Sequence, residues 1–277
     1  MPEWLLANEP VIRVSAFVAL LVSLYIAESV LPRRRWHVSR ANRVTNNLAL
    51  VTLDALCLRW LMPWTLVLVA LWTEARGLGL LKLLALPAWL EVVITIVLLD
   101  LCIYGQHVAM HKVPWLWRLH RVHHTDLDFD VTTGVRFHPL EIIISQLYKL
   151  LLVVAFGLPA VAVMLFELVL NASSLFEHAN IAIPPRADAW LRRLIVTPDM
   201  HRVHHSAWRV ETDSNYGFNL SCWDRLFGTY RPQPQDGHQE MTLGVTGYDA
   251  ARSVPVLELL RQPFIATPRH QGQRNET

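Results

Sequence analysis

The chain is short of charge. Lys, Arg, Asp and Glu make up 17% of its 277 residues, where a soluble domain carries about 25%. With 53% hydrophobic residues, the deficit points to contact with lipid rather than to a larger core. A net charge of +2 is too small to argue for a nucleic-acid partner. Cysteine is scarce and odd in number. Cys57, Cys102 and Cys222 are widely spaced, which excludes a disulfide framework or a thiolate metal site and leaves buried reduced thiols as the expectation. No basic region precedes the first apolar run, so no signal peptide is expected. No repeat of solenoid length, nucleophile triad, phosphate loop or H-E-x-x-H string is present.

What is present is apolar runs long enough for a membrane. Val11 to Leu31 can cross a hydrocarbon core of ~30 Å, since a helix rises about 1.5 Å per residue. Pro32 and Arg33, Arg34 and Arg35 stop it, and Arg40 and Arg43 follow. The positive-inside rule puts this arginine cluster in the cytoplasm and the N-terminus outside. A second stretch, Leu48 to Trp72, contains Asp54, Arg59 and Pro63, and is expected to span with a kink rather than lie at the interface. A third run follows Pro87 to about His111. Pro139 to Phe156 and a segment ending near His178 form a hairpin that crosses and returns. The fold class is therefore all-α, an integral membrane bundle of four to five crossings with a histidine-rich cytoplasmic cap. The expected divisions are an N-terminal transmembrane region (1–87), a domain with membrane helices and the histidine clusters (88–235) and a tail (236–277) that ends in disorder.

Histidine is where the sequence concentrates its chemistry. Of 13 histidines, eight fall in three clusters: His107-x3-His111, His120-x2-His123-His124 and His201-x2-His204-His205. Residues three and four apart share a helix face, so each cluster aims two or three imidazoles at one point. The middle cluster is expected on the helix of the first or on its continuation. Neutral imidazole is the commonest metal ligand among side chains. A lone pair of exposed histidines would mean little, but two copies of one H-x-x-H-H spacing make a metal site the better reading. His178 is a ninth candidate and His138, before Pro139, a possible tenth. One metal takes about four to six ligands, so the set suits two. His37, His238 and His270 read as ordinary surface residues.

Two polar stripes run toward these clusters. Asp100, Tyr104, His107 and His111 are spaced 4, 3 and 4, as are Glu167, Asn171, Ser174 and His178. A carboxylate inside a span is costly and pairs with something. Asp100 and Glu167 are candidates to orient a ligand imidazole or to carry protons, and interhelical hydrogen bonding is the plainer alternative. Thr197 reads as an N-cap with Pro198 at the first helical position.

The stretches QHVAMHKVPWLWRLHRVHH, TTGVRFHPLE, LFEHAN, TPDMHRVHHS and ETDSNYGFNLSCWDRLFGTY together resemble the fatty acid hydroxylase / sterol desaturase family, over roughly residues 90–235. The resemblance implies two non-haem irons in an all-histidine shell and the use of O2 and external electrons to oxidise an unactivated C–H bond of a lipid. It implies as ligands the eight clustered histidines and His178, with His138 matching the family's His-Pro element. No cytochrome-like domain is visible, so a separate redox protein is expected as electron donor. A desaturase with the same site, a non-enzymatic metal binder or transporter, and a zinc hydrolase are the alternatives. Ligands at helix ends rather than at the bilayer midplane speak against transport, and the missing H-E-x-x-H string against hydrolysis.

Overall fold

The structure, a computed structural model, describes residues 3–266. Five segments are long and apolar enough to cross a membrane. They comprise α1 (Glu3–Val30), the broken pair α2 (Arg40–Leu61) and α3 (Leu66–Ala75), α4 (Ala88–Lys112), α6 (Pro139–Phe156) and α7 (Ala160–Glu177). Between and after them lie shorter helices, of which α5 (Pro114–His124), α8 (Pro185–Leu191) and α9 (Pro198–His204) matter most to the site. No β-strand occurs among the described residues, only isolated bridges.

The spans show the inverted polarity of a lipid-facing bundle. Val11, Val14, Val18, Val22, Ile26 and Val30 of α1 sit three or four residues apart, form one stripe and are all exposed. In water such a stripe would be costly; in hydrocarbon it is the solvated face. The second span is kinked as its proline predicts. Residues 62–65, containing Pro63, separate α2 from α3, because proline cannot donate to the preceding turn. The helix also begins at Arg40, earlier than the hydropathy suggests. Its first turns are polar, and Arg43 and Asn47 are fully buried against the turn Val131–Val135.

An apolar core fills the end of the bundle away from the histidines. Leu66, Ala70, Leu99, Val153, Val163 and Phe166 meet there. Gly79 and Gly157 let two loops touch at that end. Each has positive φ, and a Cβ on either would fall inside the other loop's backbone.

The other end is polar. Arg43 donates to Asp126 Oδ1 and Oδ2 at 2.6 and 2.7 Å and to Asp130 Oδ2 at 2.7 Å. All three side chains are buried. Burial alone would raise the Asp126 carboxyl, but Arg43 and Arg136 hold it down at about 2. Asp130 also caps the turn Val131–Val135, accepting from Thr132 N. Glu28 accepts from Val131 N and Asn180 N, both at 3.0 Å, which ties the end of α1 to the same layer.

One expectation is corrected here, that of the cysteines, and the tail takes on structure that no expectation described. Residues 237–264 form short helices packed back on the cap: Arg136 donates to Ser253 O at 2.5 Å, Arg34 to Met241 O at 2.8 Å, and Thr125 to Gln262 Oε1 at 3.1 Å. The buried guanidinium groups require those carbonyls, a demand no local pattern in the tail reveals. The expected disorder at the end of the chain lies outside the described residues. The cysteines are free, but Cys57 and Cys102 are half-buried and Cys222 is exposed.

Candidate metal centre

Helix ends converge at the polar pole. α4 delivers His107 and His111 one turn apart. Pro114 cannot continue α4, so the chain restarts as α5, with Pro114 in its first turn. The second cluster therefore sits on a helix of its own, not on α4's continuation. His178 ends α7 as its C-cap. Thr197 caps α9, accepting from Met200 N at 3.3 Å, and α9 carries His201 and His204 with His205 at its C-cap.

The nine histidines sort into two groups. His107, His111, His120, His124 and His204 offer one ring nitrogen each within 4.8 Å of one another, and so do His123, His178, His201 and His205. All nine are buried. In the second group His178 Nε2 faces Nε2 of His123, His201 and His205 at 3.1, 3.1 and 3.2 Å. The division cuts through the sequence clusters. The i, i+4 pairs 107/111, 120/124 and 201/205 each stay together, while His123 and His204 cross to the opposite group. Each H-x-x-H-H motif thus serves both groups, not the single point its spacing suggests.

The arrangement fits metal ions. Ring nitrogens facing outward are anchored: His107 Nδ1 donates to Tyr216 O at 2.9 Å, His204 Nδ1 to Ser214 O at 2.7 Å, His178 Nδ1 to Ser174 O at 2.7 Å, and His120 Nδ1 to Glu141 Oε1 at 2.7 Å. These acceptors fix the tautomer and leave Nε2 as a lone pair. The Nε2 atoms of His107, His120 and His204, and both ring nitrogens of His111 and His124, are buried without a partner. So many buried ring nitrogens without a partner in one place are unusual for a folded core and fit a set of donors to metal ions.

Protonation states agree. Burial, reinforced by neighbouring imidazoles, pushes His123, His124, His201 and His205 well below 6.5. Burial takes His178 and His204 down to about 3, although their backbone acceptors pull the other way. The rings are neutral at pH 7, the form that binds metal.

Aromatic rings wall the groups. Tyr216 lies 5.1–5.7 Å from His107, His111 and His204. Phe137 stacks on His123 at 4.6 Å. Trp117 contacts His111 and His124 at 5.0 and 5.4 Å, whereas Trp115 points outward and is exposed.

The remaining candidates stand apart. His138 caps α6, its Nδ1 accepting from Leu140 N at 3.1 Å and its Nε2 lying 3.3 Å from Leu260 O, and it belongs to neither group. Asp100 accepts from Trp223 Nε1 at 2.7 Å and from the backbone of Asn219 and Leu220 at 3.2 Å. It secures the segment bearing Tyr216 and Phe218 rather than touching an imidazole. Glu167 pairs with Arg13 at 2.9 Å and Lys149 at 3.4 Å. His238, expected on the surface, is buried 3.6 Å from Asp199; His37 is exposed, and His270 lies outside the described residues.

Two carboxylates escaped the sequence reading. Glu141 anchors His120. Glu177 is wholly buried, has both oxygens unpartnered, and places Oε1 3.8 Å from His178 Nδ1 and 3.9 Å from His201 Nε2. Their only signal was adjacency, two residues after His-Pro139 and one before His178.

A cavity of about 330 Å³ opens from the histidines into the bundle. His107 and His120 of one group and His123, His178 and His201 of the other face it, so both groups share one chamber. Its walls include Phe17, Val51, Met110 and Phe137, and the Glu167, Asn171, Ser174, His178 stripe runs along it.

Comparison with known proteins agrees with this geometry. The chain is 29% identical over 178 residues to ornithine lipid hydroxylase OlsE of Rhizobium tropici, covering 64% of this chain and 51% of that protein. It is 27% identical to alkylglycerol monooxygenase of Xenopus tropicalis (61% of this chain, 37% of that one), and 25% identical to cholesterol 25-hydroxylase of Rattus norvegicus (52% and 48%). The chain spans about half the length of these relatives or less. No solved structure matches. Residues 92–229 match the family model described as fatty acid hydroxylase, a range that holds all nine converging histidines, and through it the chain belongs to the fatty acid hydroxylase family.

Proposed function

We propose that this protein is a membrane-bound non-haem di-iron oxygenase that hydroxylates a C–H bond of a lipid. The observation that carries the reading is the pair of adjacent all-histidine groups opening on one chamber among membrane-length helices. One iron would be held by His107, His111, His120, His124 and His204, the other by His123, His178, His201 and His205. Bound there, the metals would supply the O2-dependent oxidation that side chains alone cannot perform, with electrons from a separate redox protein. The relatives are named as hydroxylases and monooxygenases, which favours hydroxylation over desaturation. An all-imidazole set of nine also exceeds the four ligands of a structural zinc site.

The chain's own part is positional. Glu141 and the carbonyls of Tyr216, Ser214 and Ser174 hold four imidazoles in the ligating tautomer. Asp100 acts as a positioning residue for the cap, through Trp223 and the backbone of Asn219 and Leu220. Phe137 and Tyr216 keep water from the groups, and the cavity offers a lipid a route to them from within the bundle. His138 is a helix cap in this reading and not a ligand.

The site faces the cytoplasm in this proposal, with the N-terminus outside. The arginine cluster after α1 supports it: Arg33 reaches Asp199 at 3.0 Å and Arg43 reaches Asp126, both at the histidine pole. The test is metal analysis and spectroscopy on detergent-purified protein made with iron available, with lipid product analysis, beside His123→Ala and His204→Ala. Two irons per chain, an iron–iron coupling lost in both variants and an oxygenated lipid are expected. A single tightly held zinc with no O2 consumption overturns the reading.

A further inference from the structure

The end of the folded tail carries an uncovered apolar face. Leu257 is 74% exposed and Phe264 67%. They lie on the helix Val256–Arg261 and the turn Gln262–Phe264. With Leu260 and Ile265 they line one shallow depression, rimmed by Glu258 and Arg261. The opposite side of the segment is firmly held. Leu259 and Gln262 are buried. Arg121 of α5 donates to Gln262 O and, at 2.7 Å, to Ile265 O, and Thr125 donates to Gln262 Oε1 at 3.1 Å. Val256 N donates to Asn46 Oδ1 of α2 at 3.0 Å. A fixed segment, not a loose end, therefore presents the apolar face, and a contiguous face of this kind marks an interaction site.

Its position says what covers it. Leu140, Leu147, Leu151 and Val154 of α6 are all exposed and recur at helical spacing, the stripe that a membrane-spanning helix turns to lipid. His138 caps that helix. Its ring lies 6.0 Å from the ring of Phe264, and its Nε2 lies 3.3 Å from Leu260 O. The tail's apolar face thus begins where the lipid face of α6 ends. Trp115 is exposed, and Arg118 donates to Ile265 O at 3.4 Å. Tryptophan and arginine are at home at the headgroup level. Residues 267–277 carry no large apolar side chain, so they do not supply a cover for the depression.

We infer that residues 256–265 form an in-plane anchor in the membrane leaflet at the histidine pole. Leu257, Leu260, Phe264 and Ile265 meet the boundary between headgroups and acyl chains, with Arg118 and Arg261 at the level of the lipid phosphates. Arg121 and Thr125 tie this anchor to α5, so the helix bearing His120, His123 and His124 is held at a set depth relative to the bilayer surface. The anchor follows from the membrane-spanning helices alone and does not depend on the chemistry of the histidine groups.

The test reads depth rather than activity. Leu257→Cys and Phe264→Cys are made in a Cys222→Ser background, with Asp236→Cys, exposed on the cap, as the reference. Each is labelled with bimane and placed in nanodiscs of phosphatidylcholine and phosphatidylglycerol, and the background protein with no added cysteine is the blank. The lipids are brominated either just below the headgroup or near the chain ends. An in-plane segment buries its apolar face about 5–10 Å into the headgroup and acyl boundary. Bromines just below the headgroup should therefore quench the labels at positions 257 and 264 far more than the label at 236, and bromines near the chain ends should leave all three bright. Quenching at 257 and 264 no greater than at 236 overturns the proposal. So does stronger quenching by the deep bromines than by the shallow ones. If those labels stay bright while Phe264→Glu converts a dimer to a monomer, the face belongs to a second copy of the chain and the anchor is refuted. Both labelled positions are exposed, and if one variant does not fold the other decides.

Discussion

Glu141→Leu tests whether the outer partner of a ligand histidine matters as the geometry requires. The His120 Nδ1–H donates to Glu141 Oε1 at 2.7 Å, with side chains 4% and 6% exposed. This is a buried hydrogen bond to a carboxylate, a class worth about 1.5–3 kcal/mol. At about 1.4 kcal/mol per tenfold, its loss should weaken metal binding by roughly 10- to 150-fold, in line with the 10–100-fold typical of removed outer partners. Glu141→Gln keeps an acceptor oxygen and loses the charge, so it should fall between. The assay is competition with a chelator on zinc- or cobalt-loaded protein, followed by metal analysis. The effect should be confined to the His107, His111, His120, His124, His204 group, so about one metal per chain is lost early. Leucine and wild type retaining both metals equally, within about twofold, would refute the tautomer-locking argument.

Two further outcomes follow from the same pole. Arg43→Met strands Asp126 and Asp130 in a buried layer and should cost about 3–5 kcal/mol of stability; a thermal-unfolding shift in detergent measures it, and the added pair Asp126→Asn and Asp130→Asn should restore most of the loss. Metal-stripped protein should lose stability as pH falls below 6.5. His178 and His204 take up protons near 6.5 when unfolded but only at about 3 when folded, so the unfolded state binds more protons in that window, by up to about 1.4 kcal/mol per pH unit for each group. Melting temperatures flat from pH 7.5 down to 4 would contradict the buried neutral imidazoles.

The sequence by itself determined the class of the molecule and which imidazoles could gather. Hydropathy located four to five spans, of which the structure has five candidates, because a bilayer imposes a length that any helix crossing it must meet. Pro139, Gly157 and Thr197 marked helix ends that the structure keeps, since caps and breakers act through local backbone geometry. The histidine spacing named eight of the nine imidazoles that converge, and the polar stripe ending at His178 pointed to the ninth.

The tertiary structure alone decided how they are shared. His123 and His124 are neighbours in sequence yet serve different groups, because adjacent residues on a helix point about 100° apart and the partners come from α4, α7 and α9. It also separated His138 from the others: a histidine before a helix-opening proline reads as ligand or cap equally well until its ring is seen over Leu140 N. Glu141, Glu177 and the Arg43 network were illegible for a related reason. A carboxylate's role depends on what reaches it from distant chain, such as Arg43 meeting Asp126 across 83 residues, and no local pattern carries that information. The same holds for Asp54, which in sequence is an interruption in an apolar run and in the fold is part of the chamber wall beside Glu141.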